Sequence, residues 1–151
     1  MEISILFLPL IASIISGFFG KYIGDRNSEI ITSALVSISA LFSIFVLYKV
    51  IVNQYEENIV IATWINSGSL DVNWSMLIDP LSAVMLVVVT SVSSLVHIYS
   101  IGYMSHDPHK PRFMAYLSLF TFAMLMLVTS DNFIQLFFGW EGVGLCSYFL
   151  I

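Results

Sequence analysis

Apolar residues fill the chain in long, continuous stretches that short polar segments separate. Four stretches, which begin at Ile3, Ile30, Leu81 and Phe113, run without Lys, Arg, Asp or Glu, and a fifth contains only Glu141. A hydrocarbon core about 30 Å thick requires roughly 20 such residues of helix. Because the stretches lack the two-residue alternation of a barrel strand, they predict an all-α integral membrane fold. The five expected transmembrane helices cover about residues 3–22, 30–51, 80–104, 113–130 and 132–151.

The connection between the second and third helices has a different pattern. Residues 58–64 and 70–76 are rich in β-branched and aromatic side chains, and they flank a turn signal at residues 67–69. This arrangement predicts a short β-hairpin within residues 58–76. Asp79 and Pro80 then predict the start of the third helix, with the carboxylate as N-cap and proline in the first helical position.

Composition agrees with this membrane fold. The 151 residues are 58% hydrophobic and only 10% charged, whereas soluble domains carry roughly 25% charged residues. The net charge of −5 offers no basic surface to nucleic acid, so nucleic-acid binding is excluded. The single cysteine, Cys146, excludes an internal disulfide framework. With no linker or repeat in evidence, residues 1–151 are expected to form one membrane domain.

The basic residues predict the orientation of the helices. Lys21 and Arg26 lie in the first loop, and Lys110 and Arg112 lie in the third, while the opposite side carries only Lys49. Because Lys and Arg in short loops are retained on the cytoplasmic side, the N-terminus is expected on the outer side, the periplasm or its equivalent.

Glu141 is the strongest candidate for a functional residue, since ionisable groups inside membrane helices are costly and mark functional sites by default. It lies ten residues inside Asp131, or about 15 Å, which is the middle of the bilayer. Helical spacing places Gly144 and Tyr148 on the same face, so Gly144 leaves room beside the carboxyl and Tyr148 offers it a hydroxyl. The alternative is a protonated, hydrogen-bonded packing residue.

A partner for Glu141 is missing from this sequence. Every Lys and Arg lies at the end of a predicted helix, so none reaches the middle of the membrane. His97 is the only other ionisable group well inside a helix, but it lies roughly 10 Å nearer the cytoplasmic side. We therefore expect no direct bond between the two, and we expect the partner of Glu141 to come from outside this sequence.

His97 has two interpretations. It is either a proton relay between the cytoplasm and the middle of the membrane, or a buried packing residue bonded to a serine or a backbone carbonyl. His106 and His109 have a short His-x-x-His spacing, but Pro108 and Pro111 interrupt any helix that could align them. A solvated turn is therefore favoured over a metal site.

Small and hydroxyl-bearing residues predict where the helices pack together. Gly139, Gly142 and Cys146 form a strip on the fifth helix where a neighbouring helix can approach closely. Serines in the second and third helices are expected to form hydrogen bonds between helices; these are Ser33, Ser37, Ser39, Ser43, Ser91, Ser93 and Ser94. No pair of nucleophile and base and no phosphate-binding loop is present, so the chain alone offers little support for enzyme chemistry.

Four segments carry a family resemblance, namely residues 79–85, 97–104, 111–120 and 131–151. Together they resemble the antiporter-like chain 5 (subunit L) family of NADH:quinone oxidoreductase, respiratory complex I. The resemblance is most specific in the fifth helix, which contains Gly139-Trp140-Glu141-Gly142-Val143-Gly144. It is weaker in the first two helices and in the hairpin.

The resemblance implies a proton-translocating subunit that couples quinone reduction elsewhere in the complex to proton pumping. It implies no cofactor in this chain, whereas NADH, FMN, iron–sulfur clusters and quinone belong to the parent complex. In the family, the glutamate matched by Glu141 pairs with a lysine on a later, discontinuous helix. His97 matches a histidine of the third helix, without a definite role. The implied partners are the other membrane-arm subunits and the lipid of a bacterial or mitochondrial inner membrane.

The family's chain is several times longer than this one, and Ile151 is followed by no anchoring residue. We therefore expect this sequence to be the N-terminal part of a longer subunit, with the missing C-terminal part as a further partner. Two alternatives remain. One is a free-standing sodium/proton antiporter subunit, and the other is a non-transporting membrane scaffold in which Glu141 stays protonated and inert.

Overall fold

The computed structural model describes every residue from Met1 to Ile151. All five of its helices are long and apolar enough to cross a membrane, and a two-stranded antiparallel sheet joins the second to the third. The predicted five-helix membrane fold and its hairpin are therefore confirmed. The elements are α1 (Glu2–Ile23), α2 (Asp25–Asn53), β1 (Glu57–Ser67), β2 (Leu70–Ile78), α3 (Pro80–Tyr103), α4 (Lys110–Val128) and α5 (Phe133–Leu150).

Helix α2 begins at Asp25, five residues before its predicted start at residue 30. A search for charge-free runs finds the part of a helix inside the hydrocarbon, whereas the helix itself continues until its backbone is interrupted. The interruption here is Gly24, whose φ of 87° is a conformation that glycine adopts without strain. As a result, Glu29 lies inside α2.

The helices pack as a four-helix group with α5 at its edge. Helix α1 packs against α2 and α4, and α2 also packs against α3. Helix α5 packs extensively against α4 alone. The predicted strip of small residues makes this contact: a Cβ added to Gly139 would lie 2.8 Å from the Leu127 backbone nitrogen, and one on Gly142 would lie 3.2 Å from the Ala123 Cβ. The third member, Cys146, is also buried.

Hydroxyl groups join the helices at several levels. Ser37 bonds Ser94 at 2.7 Å, Ser43 bonds Thr90 at 2.7 Å, and Ser39 donates to the Ile5 carbonyl at 2.7 Å. The hydroxyl of Ser93 also contacts α4, through Thr121. The prediction for serines is thus confirmed at five positions. It is wrong at Ser33 and Ser91, which make no bond between helices.

The hairpin fixes the start of α5. The buried amide of Gln135 donates to the Ser75 carbonyl at 2.7 Å and accepts from the Ser75 N–H at 3.0 Å, as a neighbouring strand would. Asn132 donates to the Asn73 carbonyl at 2.8 Å, and its own carbonyl oxygen caps the Gln135 N–H. These bonds hold α5 in a fixed position against the hairpin at one end.

The hairpin also leads into α3 through the predicted cap. The Asp79 carboxylate accepts from the Ser82 N–H at 2.6 Å, while the Ser82 hydroxyl accepts from the Asp79 N–H at 2.8 Å. Pro80 occupies the first helical position, as predicted. The strands are longer than predicted and meet at a turn around Gly68, whose φ is 63°. Between them and the helices lies an apolar core that includes Ile5, Leu6, Val46, Met76, Ile78 and Leu86.

Candidate functional site

Glu141 lies at the middle of α5, eight residues after the helix begins and nine before it ends. At about 1.5 Å per residue it is 12–14 Å from either end, close to the depth predicted from the sequence. Its side chain is exposed on the outside of the bundle. Both ion pairs of the chain involve Glu2, so Glu141 has no cationic partner, and no hydrogen bond reaches its carboxyl group.

The face of α5 that carries Glu141 touches nothing in the chain. Phe137 is 62% exposed and Tyr148 is 76% exposed, while a Cβ added to Gly144 would meet no atom within 4 Å. Gly144 and Tyr148 therefore share the face of Glu141, as helical spacing predicts. The Tyr148 hydroxyl makes no bond to Glu141, and its ring lies 5.9 Å from that of Phe149. This face is one acid on an otherwise apolar, uncovered surface.

His97 has the opposite environment, because it is fully buried between α3 and α4. Its Nδ1 lies 2.7 Å from the Ser93 carbonyl oxygen, and its Nε2 lies 3.0 Å from the Ser118 hydroxyl. A carbonyl only accepts, so Nδ1 carries a proton, and Nε2 of a neutral ring then accepts from Ser118. The bonds to a serine and a carbonyl are those of the packing interpretation; the relay stays a prediction.

Two hydroxyls extend the surroundings of His97 towards the surface. Ser93 contacts Thr121, which donates in turn to the Leu117 carbonyl at 3.0 Å. Both Ser93 and Thr121 line a groove of about 300 Å³ between α3 and α4, with mostly valine, methionine and phenylalanine around them. The groove therefore leads to hydroxyls that are directly or indirectly bonded to the imidazole.

His97 and Glu141 are not brought together. The histidine faces the α3–α4 contact, six residues from the end of α3, while the glutamate lies on the side of α5 turned away from α4. No bond connects them, which agrees with the depth difference predicted from the sequence.

Sequence reasoning missed a second acid inside a helix, Glu29. It is 5% exposed, and its Oε1 atom is buried without a hydrogen-bond partner. The buried hydroxyls of Ser28 and Ser33 also lack partners in the same part of α2. Glu29 precedes the charge-free run by one residue, so a search that begins after the last charge places it outside the helix. The alternative signal was the regular spacing of Glu29, Ser33 and Ser37.

Other predicted candidates carry no built site. His106 and His109 are exposed in the loop between α3 and α4, and no group of three potential metal ligands is present. The donor set also does not fit an iron–sulfur cluster, because such clusters are held by several cysteine thiolates and Cys146 is the only cysteine.

Comparison with known proteins supplies a family. Residues 64–114 match a family described as NADH-Ubiquinone oxidoreductase (complex I), chain 5 N-terminus. NADH-ubiquinone oxidoreductase chain 5 of Phytophthora infestans is 55% identical over 149 residues, which is 99% of this chain and 22% of that protein. The chain 5 proteins of Arabidopsis thaliana and Marchantia polymorpha are each 56% identical over 151 residues, 100% of this chain and 23% of each relative. The chain thus spans about a fifth of the length of these relatives.

Proposed function

Since this chain corresponds to the N-terminal region of NADH-ubiquinone oxidoreductase chain 5, we propose that it forms part of a proton-translocating membrane subunit of complex I. In this proposal the energy comes from quinone reduction elsewhere in the complex, where NADH, FMN and the iron–sulfur clusters also act. The role of this chain is to hold a proton-exchanging carboxyl group at the middle of the membrane.

The observation that carries the proposal is the lack of any partner for Glu141. An uncovered carboxyl in hydrocarbon favours its protonated form, because an isolated ion there has a large desolvation cost. A cation within about 4–6 Å favours the ionised form. A basic group that approaches and withdraws would therefore make Glu141 release and take up one proton in turn.

The basic group is proposed to be a lysine from the part of the subunit outside residues 1–151, as the family resemblance implies. The geometry favours such a partner. Gly144 leaves open space next to Glu141, and the whole face of α5 from Phe137 to Tyr148 is free to receive another helix. Tyr148 is proposed to donate to the carboxylate once that helix is in place.

His97 is proposed as a relay on the cation-rich side of the bundle. The Ser118 hydroxyl can donate to a neutral Nε2 or accept from a protonated one, so the ring can change charge without losing this bond. The groove beside Ser93 and Thr121 gives water a route towards the imidazole. The rest of the path to Glu141 is proposed to lie in the missing part of the subunit.

The test is Glu141→Gln in the complete complex, with proton pumping measured per NADH oxidised. We expect pumping to fall at least tenfold while the assembled complex remains in the membrane. The matched control is Glu56→Gln, which removes an exposed acid from the connection before the hairpin and should change nothing. Tyr148→Phe should lower pumping by less than Glu141→Gln.

Three results would separate this proposal from its alternatives. Unchanged pumping in Glu141→Gln with full assembly would support an inert scaffold. Sodium-dependent proton exchange by the subunit without the rest of the complex would support a free-standing antiporter. Loss of assembly would give Glu141 a structural role and contradict the proposed proton exchange.

The remaining assignments are also proposals. The partners are the other membrane-arm subunits of complex I, the C-terminal part of the same subunit and the lipid bilayer. The relatives come from eukaryotes, which favours the mitochondrial inner membrane over a bacterial one. The basic loops favour an N-terminus on the intermembrane side.

A further inference from the structure

The largest cleft of the molecule lies between α1 and the first half of α4, away from both Glu141 and His97. Its volume is about 690 Å³. Leu10, Ile14 and Leu119 line its deeper part, and Lys21 and Arg112 line the end that faces the basic loops. The cleft therefore has apolar walls and a basic mouth.

The two cations at the mouth are unpaired. Neither Lys21 nor Arg112 forms an ion pair, although the carboxylate of Asp25 also lines the mouth. The Arg112 Nε donates to the Tyr116 hydroxyl at 3.1 Å, which holds the guanidinium over the Tyr116 ring. Helix α4 begins here without a side-chain cap, so the positive end of its dipole adds to the field.

A buried hydroxyl provides a second, independent indication of a ligand. Ser13 lines the cleft, is only 9% exposed and forms no hydrogen bond. Its neighbour on the helix, Ser16, is satisfied by donating to the Pro111 carbonyl at 2.7 Å. A buried polar group without a partner is uncommon in folded proteins, so Ser13 indicates that the cleft holds a molecule with a polar group.

The dimensions of the cleft match one half of a bilayer. Leu10 and Lys21 are 11 residues apart on α1, which corresponds to about 16 Å. Half of a hydrocarbon core is about 15 Å thick. An acyl chain that extends from the mouth to Leu10 would therefore span one leaflet, with its headgroup at the level of the basic loops.

We propose that the α1–α4 cleft binds an anionic phospholipid, with its phosphate at Lys21 and Arg112 and an acyl chain along Ile14 and Leu119. The charge at the mouth selects an anionic headgroup over a zwitterionic one, since each nearby basic residue strengthens binding. A free phosphate would leave the apolar walls uncovered. The lipid would join α1 to α4 on the side of the bundle opposite the hairpin, and this inference does not depend on the role of Glu141.

The experiment uses the full-length subunit purified in detergent, with binding of phosphatidylglycerol and phosphatidylcholine followed by native mass spectrometry. We expect the double variant Lys21→Gln/Arg112→Gln to weaken phosphatidylglycerol binding about tenfold or more. The control is Arg26→Gln/Lys110→Gln, which removes the same charge from the same end but outside the cleft. The control should bind within about threefold of the wild type.

A second measurement leaves the charges intact. Phe18 lines the cleft and is 77% exposed, so Phe18→Trp places a fluorescent ring at its wall. Brominated phosphatidylglycerol should quench this tryptophan more strongly than brominated phosphatidylcholine does. Inorganic phosphate at millimolar concentration should not prevent the quenching.

Several outcomes would overturn the proposal. Equal loss of binding in both double variants would indicate general surface charge. Equal quenching by both brominated lipids would remove the selectivity for an anionic headgroup. Competition by inorganic phosphate would indicate a site for a free anion. In the assembled complex, a photoreactive residue in place of Phe18 that crosslinks to another protein chain and not to lipid would identify a polypeptide as the occupant.

Discussion

The two ionisable side chains deepest in the bundle, His97 and Glu141, have opposite surroundings. His97 is fully buried, and both of its ring nitrogens have hydrogen-bond partners within 3.0 Å on α3 and α4. Glu141 lies on the outer face of α5 and has neither a hydrogen bond nor an ion pair. The first site is complete within residues 1–151, and the second is not.

The difference shows which site depends on other polypeptide. A buried polar group that is fully bonded stabilises the fold that surrounds it. A carboxyl on an uncovered apolar face contributes nothing to the packing of its own helix, and α5 is held instead by Gly139, Gly142 and Gln135. The role of Glu141 therefore has to be sought in what covers that face, as the proposed function requires.

The largest expected effect on stability comes from breaking the complete site. His97→Ala removes a fully buried ring and leaves Ser118 and the Ser93 carbonyl without their partner, so the free energy of unfolding should fall by about 3 kcal/mol. Leu95→Ala on the exposed side of α3 should cost much less. Equilibrium unfolding of the full-length subunit in bicelles checks both. A loss below about 1 kcal/mol for His97→Ala would contradict the comparison.

A smaller effect separates the two faces of α5. Gly139→Ala places a Cβ less than 3.0 Å from the Leu127 backbone and should cost about 2 kcal/mol through overpacking. Gly144→Ala meets no atom of this chain and is the matched control. In the same unfolding measurement, equal losses at the two glycines would show that both faces of α5 are covered alike.

The smallest effect sharpens the account of His97. Ser118→Ala removes the partner of Nε2 and should cost about 0.5–1 kcal/mol, as hydrogen bonds between membrane helices generally do. Ser91→Ala removes a hydroxyl of α3 that makes no hydrogen bond, so it should change the unfolding free energy by less than about 0.3 kcal/mol. Equal effects would mean that Ser118 is not a distinct partner of His97.

Much of the fold follows from the sequence because it depends on local patterns. Apolar run length gave the five helices, β-branched residues around Ser67-Gly68-Ser69 gave the hairpin, and Asp79-Pro80 gave the start of α3. The small-residue strip on α5 also depends only on spacing. The depth of Glu141 and its lack of a partner in this chain could be predicted in the same way, since every cation lies at the end of a helix.

The features that were missed depend on contacts between distant parts of the chain. The ion pair of Glu2 with Lys49, at 2.9 Å, requires α1 and α2 to pack antiparallel. The bonds of Gln135 to Ser75 join residues 60 positions apart, and no local pattern marks them. Glu29 was missed for a different reason, because helix ends extend beyond the charge-free hydrocarbon segment by which they were sought.

The central claim is that the partner of Glu141 comes from outside residues 1–151. The most direct test is an experimental structure of the intact subunit within its complex, in which the distance from the Glu141 carboxylate to the nearest basic nitrogen is measured. The account predicts a lysine from another segment of the polypeptide on the Gly144 and Tyr148 face, within about 4 Å or with a single bridging water in the separated state. Lipid chains alone against that face, or a cation from residues 1–151 at the carboxylate, would contradict it.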